Sequence, residues 1–280
     1  MENLERAPWA DSLTFTSFGV RIGIRVNQPR FGKSLAALLP PGHKVTPSTA
    51  PHRLYSLVIN GLAGERGSRR LGSLYEDSRP LAKERELVPV LKFLEARIRR
   101  TVAEMAPRRI FVHAGVVEYR GRAIVIPGPS MSGKSTLVSE LIRHGSTYYS
   151  DEYAVLDDRG MISPFAKPLS LRPHGSFNSI DYDAQHFGAL KGVKSVPIGL
   201  VLVTRYAVGA RWRPRRLTPG HGALALLSHC VAARREPQRV IKTLRHALGE
   251  AVILKGVRGE ASELARQLLE RAAEIGVDEI

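Results

Sequence analysis

The chain has 280 residues, and with 43% hydrophobic and 24% charged residues its composition is that of a globular protein rather than a disordered one. A single cysteine, Cys230, excludes an internal disulfide and any multi-cysteine zinc or iron–sulfur site. Lysine and arginine number 42 against 26 acidic residues, a formal charge of +16 carried mostly by arginine, which suits phosphate, nucleic acid, a nucleotide or an acidic protein surface.

Taken in chain order, residues 13–26 alternate apolar with polar residues or glycine and read as a strand or hairpin. Residues 35–39 form a short helical patch stopped by Pro40-Pro41-Gly42, and residues 54–59 read as a second strand. Residues 61–80, rich in Gly, Arg and Ser, read as a loop or an irregular pair of strands. Over residues 82–105, Leu87, Val90, Leu91, Leu94, Ile98 and Val102 recur at helical spacing and predict a long amphipathic helix ended by Pro107. Its arginines Arg97, Arg99 and Arg100, with Arg108 and Arg109, read by default as a solvated face.

Beyond residue 107 the pattern changes. Residues 110–117 and 122–126 are two β-rich runs that look like a hairpin, followed by a glycine-rich loop and an apolar-periodic helix capped by Gly145. Residues 148–156 and 198–206 are strand candidates, and Asp157-Asp158-Arg159-Gly160 is a turn between strands. Residues 222–247 read as one or two helices containing Cys230, 251–255 as a strand and 261–275 as a closing helix. The alternation predicts an α/β nucleotide-binding domain over 107–280 beside a smaller α+β domain over 1–106. The longest apolar runs, such as 198–203, are far shorter than the roughly 20 residues that span a bilayer. The first residues lack the basic start and apolar core of a signal peptide, so the expected location is cytoplasmic.

One motif carries chemistry. Gly128-x-x-x-x-Gly133-Lys134-Ser135 matches the phosphate-binding loop, between an apolar strand and a helix. In such a loop the backbone N–H groups of Gly128, Pro129, Ser130, Met131, Ser132, Gly133, Lys134, Ser135 and Thr136, proline excepted, turn toward phosphate oxygens, and the following helix aims its positive end at the same anion. Lys134 would reach the β- and γ-phosphates of ATP, and Ser135 would meet Mg²⁺. A second Gly32-Lys33-Ser34 lacks the upstream glycine, is interrupted by Pro29 and Arg30, and reads as a surface turn. The strand at 198–203 supplies no carboxylate, so Asp151 and Glu152, about fifteen residues beyond the loop, are the acidic candidates for metal and for proton transfer. Neighbouring strand residues point to opposite faces, so both can serve one site only if the strand ends there. His113, one strand before the loop, reads on its own as a packed or surface histidine.

Together these residues resemble the HPr kinase/phosphorylase family, and more closely its HPr-kinase-related relatives, which share a P-loop core with the PEP carboxykinases. The resemblance rests on Val112-His113-Ala114-Gly115, the loop at 128–135, Ser150-Asp151-Glu152, and the basic segment Pro164-Phe165-Ala166-Lys167-Pro168-Leu169-Ser170-Leu171-Arg172. It implies an α/β fold with that core and an ATP- and Mg²⁺-dependent serine kinase. In it Asp151 takes the hydroxyl proton with the help of His113, Lys134 holds phosphate, and Ser135, Asp151 and Glu152 serve the metal. Lys167, Arg172 and Arg205 are candidates to neutralise the transferred group. Glu152 stands where the family has a second aspartate, and the family's C-terminal signature is missing. The expected acceptor is therefore a protein or peptide hydroxyl other than HPr. The alternatives are a small-molecule kinase and a non-enzymatic ATP-binding regulator. Arg211-Trp212-Arg213-Pro214-Arg215-Arg216 reads as a solvated loop or a patch for an acidic partner; nucleic acid is disfavoured, no membrane is expected, and a homo-oligomer is left open.

Overall fold

The computed structural model describes the chain apart from residues 1–3, 5–6, 30, 47–49, 61–69, 173–178 and 276–280, and apart from the side chains of Lys33 and residues 271–275. Backbone contacts divide it into two compact units, Met1–Pro107 and Arg108–Ile280. The protein is a mixed α/β chain with six helices among the described residues.

The first unit holds strands β1 (Asp11–Ser17), β2 (Val20–Val26), β3 (His43–Val45), β4 (Arg53–Asn60), β5 (Leu71–Glu76) and β6 (Arg79–Glu86), with helices α1 (Gly32–Ala36) and α2 (Leu87–Met105). They form one sheet in the order β3-β1-β2-β4-β5-β6, in which only β2 and β4 run parallel. Val90, Leu94, Ile98 and Val102, one stripe of α2, are buried. The Tyr55 hydroxyl of β4 lies 2.7 Å from Thr101 Oγ1 of the helix and donates to Glu76 Oε1 at 3.0 Å, while Arg97 donates to the same carboxylate.

Two expectations change here. The helix begins at Leu87 rather than 82, because 79–86 pairs with β5. That start puts Pro89 in the first turn, where its missing N–H has no partner to lose; a start at 82 would bury it in the helix interior. Gly32-Lys33-Ser34 is no turn but the opening of α1. Of the segment 61–80, residues 61–69 lie outside the described residues, while 71–80 belong to the β5–β6 hairpin, whose shifted register is that of an irregular pair of strands, one of the two readings. Arg97, Arg99 and Arg100 pair with Glu76, Glu95 and Glu104, so these charges are locally balanced.

The second unit runs β7 (Ile110–Tyr119), β8 (Arg122–Pro127), α3 (Lys134–Arg143), β9 (Thr147–Ser150), β10 (Tyr153–Leu156), β11 (Ile162–Ser163), β12 (Leu169–Leu171), β13 (Ile180–Tyr182), β14 (Ile198–Tyr206), β15 (Arg215–Arg216), α4 (Pro219–Leu227), α5 (Pro237–Ala247), β16 (Val252–Arg258) and α6 (Ala261–Ile275). Its main sheet has the order β11-β10-β7-β8-β14-β16-β15, with β9 also on β7 and β12–β13 pairing separately. The centre, β8-β14-β16, is parallel. Its strands are apolar on both faces, as a sheet covered on both sides requires. Ile124, Ile126, Leu200, Leu202 and Leu254 pack with Leu137, Val138 and Leu141 of α3 and Leu264 and Leu268 of α6. On the other face Ala123, Val125, Val201 and Ile253 pack with Leu226 of α4 and Val240 and Leu244 of α5. The register slips between Ile198 and Leu200, which puts Ile198 and Val201 on the same face.

The strand expected at 148–156 is two, β9 and β10, broken at Asp151-Glu152, and both pair antiparallel with β7. The stretch 222–247 is two helices, with α4 starting at Pro219 behind a Thr218 cap. Cys230 lies outside both, bridging to Val112 in extended backbone. Asp157 caps the turn to β11 by accepting from the N–H groups of Arg159 and Met161. In the basic run the arginines are exposed, but Trp212 packs beside the core and Arg215–Arg216 pairs with β16.

Candidate functional site

The parallel strands β8, β14 and β16 end together, and the glycine-rich loop leaves β8 there; in open α/β sheets ligands bind outside the carboxyl ends of the strands. The loop's shape follows from its small residues. Gly133 sits in the left-handed region at φ +82 and opens α3, and Met131 takes φ +69 with its side chain 81% exposed. A Cβ on Gly128 would lie 2.7 Å from Ser132 Oγ, and one on Gly133 only 2.5 Å from Arg258 Nη2. The first turn of α3 has neither a side-chain cap nor an acidic residue, which leaves its N–H groups for an anion.

Lys134 is 5% exposed, and its Nζ donates to the loop's own Pro129 carbonyl at 2.6 Å. Burial lowers its pKa to about 8, with Asp151 opposing the shift. Ser135 Oγ donates to Asp151 Oδ2 at 3.1 Å. The backbone N–H of Ser170 donates to the same oxygen at 3.1 Å, and Lys167 Nζ stands 3.0 Å from Oδ1. The Tyr148 hydroxyl has one proton to share between the Lys167 carbonyl at 2.9 Å and Asp151 Oδ1 at 3.3 Å; burial and the carboxylate push its pKa up. The break in the strand also resolves the parity problem: Lys167 lies 3.9 Å from Glu152 Oε2 as well, so both carboxylates serve one locality. Ser150 makes the break by accepting from the N–H groups of Glu152 and Tyr153.

On β7, His113 stands across from the loop, its Nε2 3.5 Å from Ser130 Oγ. Its backbone O accepts from Gly128 N and its N–H donates to His229 O. The ring is edge-on to Tyr153, and Nδ1 is buried without a hydrogen-bond partner among the described residues. Burial first, then the positive charge of Lys134 and His229, lowers its pKa to about 4, so it is neutral at physiological pH. Gly115, two residues on, lets α3 approach β7: a Cβ there would meet Val138 Cγ2 at 2.6 Å.

The fold thus gathers His113, the loop 128–136, Asp151, Glu152 and Lys167. Arg205 lies on the opposite flank of the loop at the end of β14, and Arg172 is exposed after β12. Sequence reasoning missed Tyr206, Arg258 and Glu260, which line a cleft of about 640 Å³ beside the loop together with Met131, Thr136 and Thr204. The available signal was their position at the carboxyl ends of β14 and β16, readable only once those strands are known to adjoin β8. Ser135 and Asp151 offer the hard oxygen donors that suit Mg²⁺, which typically takes one or two carboxylates and completes its shell with phosphate and water. No protein-family model matches the chain, and neither does any curated protein.

Proposed function

We propose that the protein is an ATP-dependent kinase with an HPr-kinase-type core, transferring the γ-phosphoryl group to a serine or other hydroxyl of a protein or peptide. The observation that carries this reading is the Ser135–Asp151 contact at the mouth of a phosphate-binding loop, with the Lys134 ammonium buried beside it. A structural strand–loop–helix corner has no need of a buried lysine and a buried carboxylate on one spot.

The loop amides and Lys134 bind the triphosphate and hold it in line with the acceptor. Ser135, Asp151 and, at the margin, Glu152 are the residues that would hold Mg²⁺, which when bound offsets phosphate charge. Asp151 accepts the acceptor's hydroxyl proton, and the hydroxyl oxygen bonds to the γ-phosphorus as the bond to the β–γ bridging oxygen breaks. Neutral His113 orients that hydroxyl. Lys167 keeps the carboxylate placed.

A second reading, a nucleotide-binding regulator that transfers nothing, draws on one observation. Asp151 already faces Ser135, Tyr148, the Ser170 N–H and Lys167, so both of its oxygens are engaged before any acceptor arrives. Incubation with γ-labelled ATP and Mg²⁺, with and without cell extract, separates the readings. Label is expected on a discrete macromolecule with wild type and not with Lys134→Ala; near-normal labelling by that variant would sink the assignment. Asp151→Asn is expected to keep ATP binding and lose about 10²- to 10⁴-fold in transfer. Label on a small molecule instead makes the protein a metabolite kinase, and binding without transfer makes it a regulator.

A further inference from the structure

The loop has two flanks of different chemistry. One carries Asp151, Lys167 and His113; the other is the cleft between the loop and the ends of β14 and β16. In that cleft Tyr206 is 43% exposed, yet its ring is held in place. The Arg258 guanidinium sits 5.4 Å from the ring centroid, and the hydroxyl donates to Glu260 Oε1 at 2.8 Å. Arg258 itself is 3% exposed; among the described residues it donates only to the carbonyls of Gly133 and Gly259, and its buried Nε has no hydrogen-bond partner. A desolvated cation with no carboxylate in ion-pair range among the described residues, pressed against the phosphate loop, is a costly arrangement that an anionic ligand relieves. A pre-set aromatic ring next to it, with a carboxylate at its edge, suits a flat heterocycle and a sugar diol.

We propose that this cleft is the nucleoside subsite: a purine nucleoside 5′-triphosphate rests its base on Tyr206 and turns its ribose hydroxyls toward Glu260, while the acceptor enters from the Asp151–His113 flank. The inference rests on the phosphate-loop reading above. It follows from direction: with the γ end at Ser135 and Asp151, the α-phosphate and nucleoside extend along the loop toward Arg258. Arg205, exposed on the same wall, adds positive charge near the α-phosphate.

The test compares Mg²⁺-ATP with Mg²⁺-tripolyphosphate, which lacks the nucleoside, by titration calorimetry on the full chain. Wild type is expected to bind ATP at least about 10-fold more tightly than tripolyphosphate, since stacking on one ring is worth about a tenfold change or more. Tyr206→Ala is expected to remove most of that difference and to leave tripolyphosphate within about twofold; Tyr206→Phe, which keeps the ring, retains it. Equal binding of the two ligands by wild type, unchanged ATP affinity in Tyr206→Ala, or an equal loss of both ligands in that variant each overturns the subsite. Lys134→Ala, by contrast, is expected to lose both ligands. A wild type that binds neither ligand defeats the phosphate-loop reading itself, a result separate from the three above.

Discussion

His113, Lys134, Asp151 and Arg258 are four ionisable side chains held largely out of water around one loop. His113 is compensated by neutrality. Folded, it resists protonation down to about pH 4, whereas an unfolded chain's imidazole protonates near 6.5. The unfolded state therefore binds more protons between these values, so stability is intact above about pH 6.5 and declines as pH falls toward 4. His229, lowered for the same reasons of burial and the Lys134 charge, acts in the same sense. Urea midpoints measured from pH 7 to 4.5 should fall less steeply for His113→Gln than for wild type; parallel curves would refute the shift. Gly133 is required by geometry. Alanine there must adopt φ +82 and displace the Arg258 guanidinium, so Gly133→Ala should cost about 1–2 kcal/mol from the backbone alone and weaken ATP binding, read by thermal melts and calorimetry. At this scale the loop was legible because its glycines, lysine and serine are contiguous and their chemistry is local. Arg258, which donates to Gly133 from 125 residues away, carries no local signal.

Among the elements, long periodic segments were readable and their edges were not. The apolar stripe of α2 and the runs of β7, β8 and β14 stand in the sequence as they stand in the fold, because burial on one or both faces dictates their spacing. Residues 82–86 are strong helix formers drawn into β6 by pairing with β5, a tertiary contact that outweighs propensity. Cys230 sits in an apolar stretch that reads as helix, yet the residues on either side of it bond to β7: the Val231 N–H donates to the Phe111 carbonyl and the His229 carbonyl accepts from the His113 N–H. The break at Asp151-Glu152 depends on Ser150 accepting two backbone N–H groups, a side-chain detail that no hydrophobic pattern records. The contact of β7 with α3 is tight enough to test. Gly115→Ala should lose about 1–3 kcal/mol by overpacking against Val138, and adding Val138→Ala should recover part of it. Denaturant unfolding of the single and double variants checks the coupling, and simple additivity would show that the two residues do not meet.

For the whole molecule, the formal charge of +16 creates a long-range field, and among the described residues no helix is long and apolar enough to cross a membrane. A tetra-anionic nucleotide should therefore associate more slowly as salt shortens the screening length from about 10 Å at 0.1 M to about 3 Å at 1 M. Stopped-flow association of a fluorescent ATP analogue should slow severalfold over that range; an unchanged rate would mean that the field does not reach the site. The two units, Met1–Pro107 and Arg108–Ile280, differ in what their sequences disclose. The second contains a motif whose spacing is itself chemistry, and the first contains only patterns of burial. By itself the sequence determined the mixed α/β character, the position of the glycine-rich loop and the carboxylates that follow it, because each of these is written within a few turns or strands of chain. The tertiary structure alone decided that Asp151 meets Ser135 and Lys167, that both carboxylates serve one locality, and that Tyr206, Arg258 and Glu260 wall the other side of the loop. Those contacts depend on which strands lie side by side, and strand adjacency is set by packing over the whole sheet rather than by any local run of residues.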